Sequence, residues 1–113
     1  MILDMQEMFN AAYIGLSKQG WVQSRDNKGN CLYRGPSGRK CAIGFCMTDD
    51  EAALFAEDDS SYEVLKHFGV EEYPMFKFAE EMQRIHDKYD VPSVMKSNFE
   101  EFAERHKLTI PSV

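Results

Sequence analysis

Cys31-Leu32-Tyr33-Arg34-Gly35-Pro36-Ser37-Gly38-Arg39-Lys40-Cys41-Ala42-Ile43-Gly44 is the stretch on which the fold class turns. Its centre, residues 35–39, has the composition of a tight turn, because glycine tolerates positive φ and proline presets a turn value of φ. Short runs at 31–34 and 40–43 flank it. The pattern predicts a β-hairpin with a Gly/Pro-built tip. Upstream, Trp21-Val22-Gln23 is a further strand candidate, and Asp26-Asn27-Lys28-Gly29-Asn30 a dense turn signal between the two. A three-stranded meander is expected, since an isolated two-stranded hairpin is marginal in water.

Outside this stretch the periodicity is helical. Met5, Met8, Phe9, Ala12, Tyr13 and Leu16 lie on one face of a helix over 3–18, which Gly20 can end. Three capping boxes mark further helix starts: Thr48 with Glu51, Ser60 with Glu63, and Ser97 with Glu100. The first two helices are short, and Gly69 closes the second. A longer one runs over 74–89, with Pro74 in its first turn and Phe78, Met82, Ile85 and Tyr89 in line. Asp90-Val91-Pro92 breaks it, and a last helix covers 97–107 with Phe99, Phe102 and Ala103 inward. Residues 1–113 therefore read as a single small α+β domain, a short antiparallel hairpin or meander packed against about five helices. Trp21, Leu32, Tyr33, Ile43 and Phe45 join the helical apolar residues as its expected core.

Composition bounds what such a domain does. At 43% hydrophobic and 28% charged residues the chain is globular rather than disordered. No apolar run approaches the roughly 20 residues that span a bilayer, and Met1-Ile2-Leu3-Asp4 lacks a signal-peptide pattern. Three cysteines do not suggest an oxidised framework. A soluble protein of the reducing cytosol, without a membrane partner, is the expectation. A net charge of −6 argues against generic nucleic-acid binding, which rests on basic side chains.

The 31–44 segment, followed by Thr48-Asp49-Asp50-Glu51, resembles a family of short uncharacterised proteins from tailed bacteriophages and prophages, with a pattern C-x-Y-R-G-P-x-G-x-K-C-A-x-G. Gln19-Gly20 after the first helix and Gln83-Arg84-Ile85-His86-Asp87 in a later one fit the same likeness, which covers most of the chain in order. The resemblance implies a phage origin and life in the host cytosol. It implies no activity.

Candidate chemistry is sparse. Zinc takes about four ligands in tetrahedral reach. Cys41 and Cys46 have an allowed spacing, and Cys31 joins them if the hairpin register sets it opposite 41, with His67, His86 or His106 completing the set. The same cysteines can equally be small buried hydrophobes. A cysteine nucleophile needs a histidine in reach and a third orienting group. His86 and Asp87, adjacent on a helix, project about 100° apart and do not orient each other; Asp90 is the i, i+4 neighbour. The hairpin tip is the other candidate. Tyr33 for stacking, Arg34, Arg39 and Lys40 for charge, and Gly35 and Gly38 for open backbone N–H groups make a binding surface for an anion or an acidic patch. A salt bridge from these cations to Asp49 or Asp50 would account for them as well.

The leading functional expectation is a non-enzymatic phage accessory protein that needs no cofactor and binds a host or phage protein, inhibiting or redirecting it. A nucleotide or small-anion binder using the basic tip is the first alternative; a zinc-stabilised or catalytic domain is the second.

Overall fold

The computed structural model describes all residues 1–113. Five α-helices, α1 (Met5–Lys18), α2 (Asp49–Ala52), α3 (Ser61–His67), α4 (Tyr73–Lys88) and α5 (Pro92–Arg105), form one mostly helical domain. Helix α1 starts where the Asp4 carboxylate accepts the Glu7 N–H at 3.0 Å, an N-cap. The Thr48–Glu51 capping box closes in both directions and starts α2. Ser60 caps α3 through the Glu63 N–H alone.

Helix α5 begins five residues before the expected Ser97 start. Pro92 occupies its first turn, where a missing N–H costs nothing, and Val91 is its N-cap. Ser97 is then an exposed residue inside the helix, so Ser97 and Glu100 do not form a cap.

There is no β-hairpin and no meander. The only extended pairing is a single antiparallel bridge between Arg25 and Cys31. Residues 36–38 form a 3₁₀ turn with Ser37 (φ 60) and Gly38 (φ 74) in left-handed conformation, and Ile43–Cys46 a second 3₁₀ turn. The reason lies in packing. The Ile43–Cys46 turn nests against α1, and Gly15 makes that approach possible, because a Cβ there would meet the Phe45 ring at 2.3 Å. Gly44 sits under the Tyr33 carbonyl, where a Cβ would come within 2.5 Å. A strand over 40–43 would pull both contacts apart. Trp21 is not in a strand either: at φ 59 it follows Gly20 (φ 79) and turns its ring into the core.

That core is aromatic and joins all the long helices. Phe9 and Tyr13 of α1 stack at 5.5 Å, Trp21 meets Tyr13 edge-on at 5.0 Å and Phe99 of α5 at 5.6 Å, and Phe78 of α4 packs on Phe102 at 5.0 Å. Offset and edge-on pairs of this kind add to the area they bury. Leu32 and Phe45, expected in the core, are only half-buried, and of the two only Phe45 packs against the core's edge. No helix is long and apolar enough to cross a membrane.

Replacing the buried Ile85 with Ala should cost about 2–5 kcal/mol in denaturant unfolding, whereas Leu54→Ala, on the surface, should stay within about 0.5 kcal/mol. Equal effects at the two positions would contradict the assigned core.

Candidate functional site

The chain between α1 and α2 buries backbone without a ladder to pair it, so side chains from neighbouring elements supply the partners. His86, fully buried on α4, accepts the Ser24 backbone N–H on Nε2 at 3.0 Å. Its Nδ1 lies 2.8 Å from Asp87 Oδ1. An accepting Nε2 makes Nδ1 the protonated nitrogen, donating to the carboxylate. Gln23 Nε2 donates to the carbonyls of His86 and Asp87 at 2.9 and 3.1 Å, and Arg25 Nη2 donates to the Asp87 carbonyl at 2.6 Å. These bonds fill carbonyls that the end of α4 leaves open.

The contact between His86 and Asp87 corrects the expectation that adjacent helical residues cannot orient each other. The offset of about 100° describes the Cα–Cβ directions. Near the end of α4 the carboxylate leans back along the helix and reaches Nδ1. His86 is fully buried, where its place on a helix suggests a surface or half-buried histidine beside Asp90, and it has no bond to Asp90, which lies beyond the last turn and is exposed.

Cys31 faces this pair: one ligand atom each from Cys31, His86 and Asp87 lie within 4.8 Å of one another. Cys31 and His86 are both among the metal candidates read from the sequence and Asp87 is not; outside the cluster lie the two whose spacing leads that reading, Cys41 and Cys46. Both of those are buried, and the Cys46 thiol donates weakly to the Met8 and Ala42 carbonyls at 3.6 and 3.7 Å. Burial pushes all three thiols up to about 12, and at Cys31 the Asp87 carboxylate adds to the effect. A nucleophilic cysteine needs the reverse, a neighbour that stabilises thiolate. The histidine cannot take the thiol proton, since Nε2 is occupied by Ser24 and Nδ1 by Asp87. A metal on Nδ1 would push the proton to Nε2, against the Ser24 N–H. Metal binding and the Ser24 bond therefore compete for one ring.

The sequence-derived tip residues divide into two groups. Tyr33 is buried, with its hydroxyl donating to the Asp59 carbonyl and its N–H to Glu57 Oε1 at 2.6 Å, so its ring is not free to stack on a ligand. Arg34 is spent inside the molecule. Its Nε bonds Asp49 at 2.8 Å, and its Nη atoms reach the carbonyls of Tyr33, Gly44 and Met47 at 3.1, 2.7 and 2.8 Å. Its guanidinium holds the Asp49 carboxyl below the usual carboxylate range. Gly35 also has a structural role, since a Cβ there would meet Ser24 Oγ at 2.3 Å.

Gly38, Arg39 and Lys40 remain at the surface, and the structure adds neighbours that the sequence did not suggest. Gln19, at the end of α1, pins the turn by a reciprocal pair: its Nε2 donates to the Lys40 carbonyl and its Oε1 accepts the Lys40 N–H, both at 2.9 Å. Lys18 is thereby set beside Arg39 across a cleft of about 420 Å³ that Ser37, Gly38 and Phe45 also line. No carboxylate lines this cleft. Lys40 turns its ammonium over the Phe45 ring at 5.8 Å and lies in the field of Asp49.

A larger cleft of about 960 Å³ opens between residues 30–33 and α4 and is acidic. Most of its carboxylates have internal work. Asp26 accepts the Lys28 and Asn30 N–H groups, Glu57 that of Tyr33, Asp59 that of Ala56, and Glu80 pairs with Arg84.

A scan against protein-family models finds no match, and searches of curated proteins and of solved structures find no significant match either.

Two outcomes follow for this region. Alkylation of Cys31 at neutral pH should run about a hundredfold or more below that of a free cysteine, rising with pH toward about 12. A half-maximal rate near about pH 8.5 would contradict the described environment. Arg34→Ala, which removes the guanidinium from three carbonyls and leaves those of Tyr33 and Met47 short of a donor, should lower stability by about 1–3 kcal/mol in denaturant unfolding. No loss would show that these bonds carry nothing.

Proposed function

We propose that this chain is a non-enzymatic bacteriophage accessory protein that acts by binding a host or phage protein, with the basic edge formed by Lys18, Gly38, Arg39 and Lys40 as its contact surface. The phage setting rests on the resemblance carried by residues 31–44. The non-enzymatic reading is supported by the state of the three groups that look most reactive: Cys31, His86 and Asp87 are committed to one another and to Ser24.

One observation carries the choice of surface. The guanidinium groups of Arg25, Arg34, Arg84 and Arg105 each bond a carboxylate or a carbonyl within the molecule, and that of Arg39 alone among the arginines bonds nothing. It stands beside Lys18 over a carboxylate-free cleft in a protein of net charge −6. A fork of donors held without a partner is suited to an acidic contact on another molecule. Charge complementarity of this kind sets partner choice and encounter rate.

Lys18→Ala with Arg39→Ala tests this without touching Arg34. The double variant should melt like the wild type, as surface changes do. It should lose the proteins that co-purify with the wild-type chain from infected cells, and wild-type capture should weaken as salt rises. Capture of the same proteins by the folded double variant would overturn the assignment of the surface.

A further inference from the structure

We infer that the cleft between the end of α1 and the 36–39 turn is a pocket for a phosphate monoester. The inference rests on the reading of this edge as the contact surface and names the group recognised there.

The pocket is built from parts whose positions are fixed by other contacts. The reciprocal Gln19–Lys40 backbone pair locks the turn to the last residues of α1, so Lys18 and Arg39 face one space. The Phe45 ring packs closely on α1 because Gly15 has no side chain. Gly38 carries a positive φ and nothing stands within 4 Å of where its Cβ would be, so its backbone is open to an incoming group. Ser37 adds a hydroxyl while itself holding φ 60, a conformation that serine rarely takes.

The chemistry of the lining selects the ligand. Lys18 and Arg39 supply two positive charges with no carboxylate among the lining residues, which matches a dianion better than a single carboxylate. Arginine binds phosphate with two parallel N–H donors, and lysine adds a point charge. A cleft of about 420 Å³ has room for a phosphate group, and its open side lets the carrier continue into solvent. The ring of Phe45 gives the carrier an apolar floor. A phosphorylated side chain on a protein and a free small phosphate ester present the same group here.

The test uses the full chain. Amide NMR at constant ionic strength should follow a titration with inorganic phosphate, then with O-phosphoserine, with chloride as control. Saturable shifts at Lys18, Ser37, Gly38 and Arg39 are expected with both phosphates and not with chloride. Arg39→Ala should weaken binding at least about tenfold, the loss of one charge-assisted contact. Gln19→Ala should weaken it too, although Gln19 is given no ligand contact, because the turn is no longer pinned. Absence of saturable shifts, equal shifts with chloride, or unchanged affinity in Arg39→Ala overturns the pocket. Loss of the captured protein without any phosphate binding overturns the pocket and leaves the contact surface standing. Phosphate binding lost in Arg39→Ala while the protein partner is still captured overturns the contact surface and leaves the pocket. Phosphatase treatment of the lysate assigns the source: capture abolished means a phosphorylated protein, capture retained a small phosphate ester.

Discussion

The Ser24 N–H, donated to a fully buried imidazole 3.0 Å away, is the bond around which this fold is arranged. The stretch between α1 and α2 has one bridge and two single-turn 3₁₀ segments, far too little regular structure to pair its own buried backbone. An unpaired buried N–H costs roughly what a lost hydrogen bond does, about 1–3 kcal/mol. Side chains take over the role of a missing sheet. His86 holds residue 24, Gln23 and Arg25 hold the end of α4, Gln19 holds residue 40, Gln83 takes the Ile43 N–H at 2.9 Å, and Arg34 gathers three carbonyls. The imidazole is the only one of these partners that is wholly excluded from water. Its tautomer is set from both sides, by the donor at Ser24 and the acceptor at Asp87.

This economy explains why residues of catalytic type serve the scaffold. A cysteine, a histidine and an aspartate meet in space, yet each bond among them runs the wrong way for nucleophile activation. Burial raises the thiol, and the aspartate beside it, where a dyad would place the histidine, raises it further. The histidine spends both nitrogens on structure. The same logic separates two arginines that flank one turn. Arg34 is held by four internal acceptors and belongs to the scaffold; Arg39, five residues on, is left with its donors facing solvent.

Much of the helical framework was legible in the sequence. The apolar line from Met5 to Leu16 marks α1, the Thr48 box marks α2, and the Phe78, Met82 and Ile85 line marks α4, because 3.6-residue periodicity and caps are local signals. The Ser97 box misled for the opposite reason: Pro92 starts α5 first, and a serine already inside a helix caps nothing. The hairpin misled at a deeper level. Turn composition at 35–39 is real, and the chain does turn there, but whether the flanks pair with each other depends on acceptors and donors far along the sequence. Glu57 takes the Tyr33 N–H and Gln83 the Ile43 N–H, over 24 and 40 residues. No spacing rule reveals such partners. The division of the candidate site into spent and free cations was hidden for the same reason, and Lys18 entered it only through the Gln19 clamp.

The most direct test is the protonation and bonding of one ring nitrogen. In uniformly ¹⁵N-labelled protein, a scalar coupling across the hydrogen bond between the Ser24 amide nitrogen and His86 Nε2 should be observable, with Nε2 unprotonated and Nδ1 carrying the proton. A protonated Nε2 with no coupling to Ser24 would contradict the claim that an imidazole acceptor, and not strand pairing, holds this segment in place.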